Sequence, residues 1–184
     1  MKKTDFCRDI IELNKKFMTD FKRWIFKEGM LFNSYEKWWD KGKRISAHEG
    51  IDFWGFETLS GGVKRLNAKV KAPALFDGEV VKIKKDFLGK SIYIRHSDII
   101  SEAEECLYTF YGHLKPFHLL GQRVKKRDAI GFVSDKSLKI PAHMHISLAW
   151  IAKNFDSDNI AWNDLWNNRF IRLVDPIFIV KKCL

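Results

Sequence analysis

Two histidines one residue apart, His143 and His145, are the first residues in this 184-residue chain whose types and spacing could do chemistry. On a strand, side chains two residues apart project to the same face, with Cβ atoms roughly 6–7 Å apart. One imidazole can then bind a metal ion while the other reaches a water or substrate held by it, and Met144 turns to the opposite, packed face. Upstream, His48 and Asp52 stand in AHEGIDFWG with Gly50 between them. An imidazole, a carboxylate and a second imidazole make a three-ligand zinc site with one coordination position left for water. Thiolates are not required. Cys7, Cys106 and Cys183 form no closely spaced pair, which argues against a cysteine zinc site. The sequence leaves open whether Cys7 and Cys183, near the two termini, are joined. His96 and His118 read as ordinary polar histidines.

Such side chains need rigid elements to hold them. Beyond Gly29 short runs of β type dominate: GEVVKIKKD, KSIYIRHSD, CLYTFYGHL, AIGFVSD and HMHISLAW. Turn residues such as Asp77-Gly78, Leu88-Gly89 and Gly121 separate them. They predict a mainly β chain, with one antiparallel sheet domain over residues 30–184. An acidic, solvated connection around Ser97–Glu105 is expected to be longer than a compact hairpin. Residues 152–169, rich in Asn, Asp and Trp, read as a loop or short helix. Phe170–Val180 reads as a last strand, interrupted at Asp175-Pro176. At the other end, Phe6, Ile10, Leu13, Phe17, Phe21, Trp24 and Ile25 recur at helical spacing. Residues 1–29 are therefore expected to form an amphipathic helical segment over 5–27, with Gly29 as its stop.

The order of the motifs is more specific than any one of them. HEGIDF, APALFDGEVVKI, LYTFYGHL, GQRVKKRDAIGFV and PAHMHIS follow one another between His48 and Ser147. In that order they resemble the lysostaphin/LytM-type zinc metallopeptidases, the cell-wall endopeptidase family. The resemblance runs over about residues 30–180, and the ending RLVDPIFIV is like the family's usual exit from the domain. It implies a groove over the sheet, one Zn2+ per chain, and hydrolysis of peptide bonds in peptidoglycan stems or cross-bridges. It also implies His48, Asp52 and His145 as the metal ligands. The same resemblance implies His113, in Tyr111-Gly112-His113-Leu114, and His143 as the catalytic pair; no glutamate of an HExxH helix is present to manage the proton. A periplasmic, extracellular or cell-envelope location follows from the same resemblance. One stretch departs from it. Family members usually carry a glycine-rich turn before HxH, with Pro directly before the first His. Here SDKSLKIPAHMHIS has no glycine, and Ala142 follows Pro141. That departure bears on the groove loop and on substrate preference.

Composition bounds the remaining choices. Fifteen Phe and seven Trp, with 46% hydrophobic residues overall, exclude wholesale disorder. No apolar run approaches the roughly 18 residues of a membrane span. The start, MKKTDFCRDIIELNKKF, opens like a secretory signal, but Asp5, Arg8, Asp9 and Glu12 interrupt the place of its apolar stretch. The net charge is +10, and residues 61–140 hold most of it, with 16 basic against 9 acidic side chains. A basic surface favours an acidic partner, whether a wall polymer, an anionic lipid or a nucleic acid. The basic residues are scattered rather than gathered in a recognised module, so no specific nucleic-acid partner is expected. The rival within the same fold is a non-catalytic domain that binds the cell wall or activates a hydrolase. Such relatives usually lack ligands, and here all five positions are filled.

Overall fold

Val, Ile, Tyr and Phe alternate with polar residues through the middle of the chain, and those stretches pair into one antiparallel sheet. The computed structural model describes residues 5–135, 139–156, 160, 162 and 165–176. The elements are α1 (Phe6–Leu13), β1 (Phe21–Trp24), β2 (Ile51–Phe53), β3 (Gly55–Thr58), β4 (Val63–Arg65), β5 (Lys71–Pro73), β6 (Gly78–Lys85), β7 (Lys90–Ile100), β8 (Glu105–Pro116), β9 (Arg123–Val124), β10 (Ala129–Val133), β11 (Met144–Ala152) and β12 (Ile171–Val174). The main sheet runs β12-β11-β8-β7-β6-β9, with β2 beside the start of β11 and β10 joining β8 to β5. A small sheet, β1-β3-β4, lies apart from it. The five runs singled out in the sequence are β6, β7, β8, β10 and β11.

The central strands are covered on both faces. In β11, Met144, Ile146 and Leu148 enter the main core together with Phe53, Leu107 and Tyr111. On the other face Ala149 and Ile151 pack with Tyr93, Tyr108 and Phe110. His145 and Ser147 share that second face, at its open end. Burying side chains such as Phe53 and Ile146 contributes about 1.5–3 kcal/mol each, which makes the sheet a stiff platform.

The N-terminal helix is shorter than its periodicity predicts. It stops at Leu13, because the Asn14 side chain donates to the carbonyls of Ile10 and Lys71 at 2.8 and 2.9 Å and accepts from the Lys71 N–H at 2.8 Å. Asn14 thus competes for a helix carbonyl and ties the chain to β5. Phe21 and Trp24 reach the core from a strand instead, ring against ring with Phe56 and Phe53. Gly29 does not end a helix. It sits in a 3-10 turn at Glu28–Met30, where a Cβ would come within 2.7 Å of Glu36 O and Trp38 N. The connection after β7 is also shorter than expected. β7 continues to Ile100, so only residues 101–104 turn, closed by Ser101 N–H donating to Glu105 O at 2.9 Å. Its tip is acidic and exposed, as the sequence predicts. The last strand ends at Val174, and residues 177–184 lie outside the described residues. Cys7 is disulfide-bonded and Cys106 is a buried free thiol; Cys183 is outside the described residues.

His96 on β7 is structural. It is fully buried, with Nδ1 2.7 Å from Asp77 O and Nε2 2.7 Å from Thr109 Oγ1. Burial pushes its pKa down from 6.5 to about 4, against the pull of the Asp77 carbonyl. The unfolded chain therefore takes up a proton first as pH falls. His96's contribution to stability is full above about 6.5 and declines towards about 4. Urea midpoints measured from neutral pH down to about 4 should fall for wild type and fall less steeply for His96→Gln; equal slopes would refute this role.

Candidate metal centre and active site

Register brings the first residues together. In the antiparallel pairing of β2 with β11, Asp52 stands opposite His145, and in that of β11 with β8, His145 stands opposite Gly112. Paired residues on neighbouring strands share a face, so Asp52 and His145 meet by strand geometry alone. His48 precedes β2 on a loop fixed by backbone bonds in both directions: Asn33 N–H donates to His48 O at 2.8 Å, and His48 N–H donates to Ser34 O at 2.9 Å. Gly50 makes the approach possible. A Cβ there would lie 2.2 Å from Ile146 O and 2.8 Å from His145 Nε2.

The result is a convergence on one oxygen. Asp52 Oδ1 lies 2.8 Å from His145 Nδ1, 3.2 Å from His48 Nε2 and 3.8 Å from His143 Nε2. His48 Nε2 and His145 Nδ1 are 3.0 Å apart. One donor atom from each of His48, Asp52 and His145 falls within 4.8 Å of the others. The far side of each of these groups is engaged. His48 Nδ1 is 3.1 Å from Leu31 O, His145 Nε2 is 2.6 Å from Ser147 Oγ, and Asp52 Oδ2 accepts from Trp38 Nε1 at 2.6 Å and lies 3.5 Å from Arg44 Nη2. Outer contacts of this kind fix tautomer and ring orientation and leave the inner atoms free to bind a cation. Burial opposes charge on Asp52. Electrostatic attraction to the neighbouring His48 and His143 rings and hydrogen bonds from His145 and His48 outweigh it, holding the carboxyl well below the usual range. Burial lowers His145, and it pushes His143 down to about 4 despite the attraction of Asp52.

His143 and His113 flank this group. His143 lies one residue before β11, with Nδ1 2.8 Å from Pro141 O, and its ring is 4.6 Å from that of His113. His113 reaches the site through a β-bulge. Up to Tyr111, odd residues of β8 face the main core; beyond the bulge Leu114 faces it instead. The pairing of β7 with β8 shifts register between Lys90–Leu114 and Ile92–Tyr111. One extra residue on β8 thus reverses the alternation, and His113 takes the left-handed conformation with φ 65°. All five histidine and aspartate positions expected from the sequence therefore meet in one place.

Sequence reasoning missed the residues that hold them. Trp38, Trp39 and Arg44 come from the segment before His48. The guanidinium of Arg44 lies 4.8 Å over the Trp39 ring, and the Trp38 ring meets His143 edge-on at 5.1 Å. From the far side, Trp162 packs against His145 at 5.1 Å and donates through Nε1 to Glu49. Asp86, in the turn after β6, lies beneath His113. A signal for Trp38 and Arg44 existed, since a buried carboxylate needs donors and the stretch before HEGID carries both. The cavity above Asp52 is small, about 130 Å³, and shares Phe87, His113 and Trp162 with a neighbouring one of about 310 Å³ that runs past Tyr93 to Lys84 and Lys85.

Residues 46–157, which include all five of these positions, match the family model of peptidase family M23. The chain belongs to peptidase family M23. Its fold is shared with the catalytic domain of the antimicrobial peptidase lysostaphin from Staphylococcus simulans, with a TM-score of 0.53 at 17% identity over 94% of this chain and 97% of that one. Lysostaphin from the same organism, as a longer chain, also gives a TM-score of 0.53 at 17% identity, over 86% of this chain and 51% of that chain. No curated protein sequence matches. The lysostaphin-like M23 fold expected from the motif order is the fold found.

The close approach at Gly50 generates a test. Gly50→Ala must push β2 away from β11, and overpacking of this kind costs about 1–3 kcal/mol. The expected outcome is a lower urea midpoint with weakened metal retention. Wild-type stability in this variant would show that the strands do not approach so closely.

Proposed function

We propose that the chain is a zinc-dependent endopeptidase that hydrolyses peptide bonds in peptidoglycan stems or cross-bridges, acting in the cell envelope or outside the cell. The observation that carries this reading is the convergence of His48, Asp52 and His145, each steadied from behind. Two imidazoles and one carboxylate are the donor set of a catalytic zinc site with an open position. His48 Nε2, His145 Nδ1 and Asp52 Oδ1 would hold the ion. Bound there, zinc would supply a Lewis acid that polarises the scissile carbonyl and makes water a nucleophile near neutral pH.

The rest falls to the chain's own side chains. His113 and His143 face one cavity with rings 4.6 Å apart. One accepts the proton of the attacking water and returns it to the leaving amine; the other donates a hydrogen bond to the oxygen that gains charge. Trp39, Trp162 and Phe87 narrow the approach and limit bulk water. Lys84 and Lys85 stand beside the continuing groove, where free carboxylates of a stem peptide would meet opposite charge.

Two measurements on each variant separate ligand from catalyst: zinc by elemental analysis, and fragments released from purified sacculi by mass analysis. Wild type should hold about one zinc and release peptide-cleaved fragments. His145→Ala should lose both metal and activity. His113→Ala and His143→Ala should retain zinc and fold while losing about 10²-fold or more in rate. Zinc retained in His145→Ala but lost in His143→Ala would reverse the assignment, and a wild-type chain that takes up no zinc would end it.

A further inference from the structure

We infer that Asp86 is the positioning residue for His113: one carboxylate oxygen fixes the bulge that turns His113 into the site, and the other faces Nδ1, so that the imidazole works through Nε2. What His113 does with Nε2 rests on the peptidase reading; how it is held does not.

The bulge needs an external brace. A non-glycine residue in the left-handed region costs roughly 1–2 kcal/mol, and His113 has left the ladder that would pair its backbone. Asp86 Oδ2 accepts the His113 N–H at 2.9 Å, and Ser134 N–H donates to His113 O at 2.8 Å. Both orphaned backbone groups are thereby satisfied. Asp86 is itself tightly fixed: Oδ1 accepts from Leu88 N–H at 2.8 Å and Gly89 N–H at 2.6 Å, and Oδ2 accepts from Ser91 Oγ at 2.8 Å. Gly89 allows the turn to lie against β8, since a Cβ there would come 2.8 Å from Leu114 O. The tip of the β6–β7 hairpin is thus locked to the bulge of β8.

The same carboxylate reaches the ring. Asp86 Oδ1 is 3.2 Å from His113 Nδ1, an oblique contact short of a well-aligned hydrogen bond. Burial opposes its charge, but His113 and Ser91 outweigh that and hold the carboxyl below its usual range. A carboxylate has nothing to donate, so its neighbour is the ring nitrogen that carries the proton, and Nε2 keeps the lone pair. Phe87, the next residue, meets the ring at 4.6 Å, with His143 also at 4.6 Å. A carboxylate behind an imidazole selects its tautomer in the same way in triad hydrolases, where the amide substitute favours the wrong one.

The experiment uses the zinc-loaded full chain. Long-range 1H–15N spectra of the histidine rings, assigned with His113→Gln and taken where the ring is neutral, should show His113 as the Nδ1–H tautomer. Asp86→Asn keeps the size of the side chain and removes the carboxylate charge behind the ring in either amide orientation. Because Oδ1 both faces the ring and accepts from Leu88 and Gly89, an amide nitrogen placed there also gives up those turn bonds. The tautomer should move to Nε2–H, and kcat on sacculi should fall about 10²-fold, with KM and zinc content within about twofold of wild type. An unchanged tautomer overturns the inference, as does an unchanged kcat or a KM effect alone. If Asp86→Asn fails to fold, the wild-type spectrum decides, because an Nε2–H tautomer there overturns the inference without any variant. If the wild-type chain has no peptidase activity, the ring-nitrogen spectra alone decide how His113 is held, and the failure belongs to the peptidase reading.

Discussion

Asp52 is a carboxylate with 1% of its surface exposed, and a buried charge left alone costs several kcal/mol even after relaxation. The architecture around it answers that cost. Trp38 and Arg44 serve Oδ2 from one side, while His48, His143 and His145 gather at Oδ1 from the other. Removing any one group leaves the others with an uncompensated charge or an unmatched donor. The segment before β2, the start of β11 and the loop carrying His143 are therefore bound to one another through a single side chain. His48 Nε2 and His145 Nδ1 stand 3.0 Å apart beside Asp52 Oδ1, the donor set from which the proposed metal site is built.

Strand register supplies the precision. Side chains on rigid, doubly covered strands are held more closely than on loops, and β11 places His145 between Asp52 and Gly112. Two glycines make this possible in different ways. Gly50 lets β2 close onto β11, and Gly112 leaves room for the His145 ring, whose Cβ would stand 3.2 Å from any Cβ at that position. His113 arrives through an irregularity instead, which is why its neighbour Asp86 matters. A straight strand would have buried His113 in the main core and exposed Leu114 to the second cluster.

Much of this was legible in the sequence, and the misses share a cause. Period-two patterning located the five strands, and the ordered motifs located His48, Asp52, His113, His143 and His145. Periodicity alone extended the helix to residue 27, because Phe17, Phe21 and Trp24 fit a helical stripe as well as they fit a strand packing on Phe56. The side chain of Asn14 decided between the two, through contacts with β5, 57 residues away. Likewise the sequence of β7 continued unbroken into Ile99 and Ile100, and only pairing with β8 showed that the acidic turn spans residues 101–104. Trp38 and Arg44 could have been sought as donors to a buried Asp52, whereas Asp86 was invisible because its role depends on His113, 27 residues away. A carboxylate in Asp86-Phe87-Leu88-Gly89 reads as a turn former, which it is; that its second oxygen faces a bulge on β8 is a tertiary fact.

The groove carries the same logic outward. Its narrow end lies over Asp52 and its wider part runs past His113 to the lysines at Lys84 and Lys85. The account stands on the nature of the cluster at Asp52. Zinc K-edge absorption fine structure of the loaded full chain examines it directly. The account predicts a first shell of nitrogen and oxygen only, at about 2.0–2.2 Å, with outer-shell scattering from two imidazoles. Sulfur at about 2.3 Å, or a shell without imidazole scattering, would contradict it.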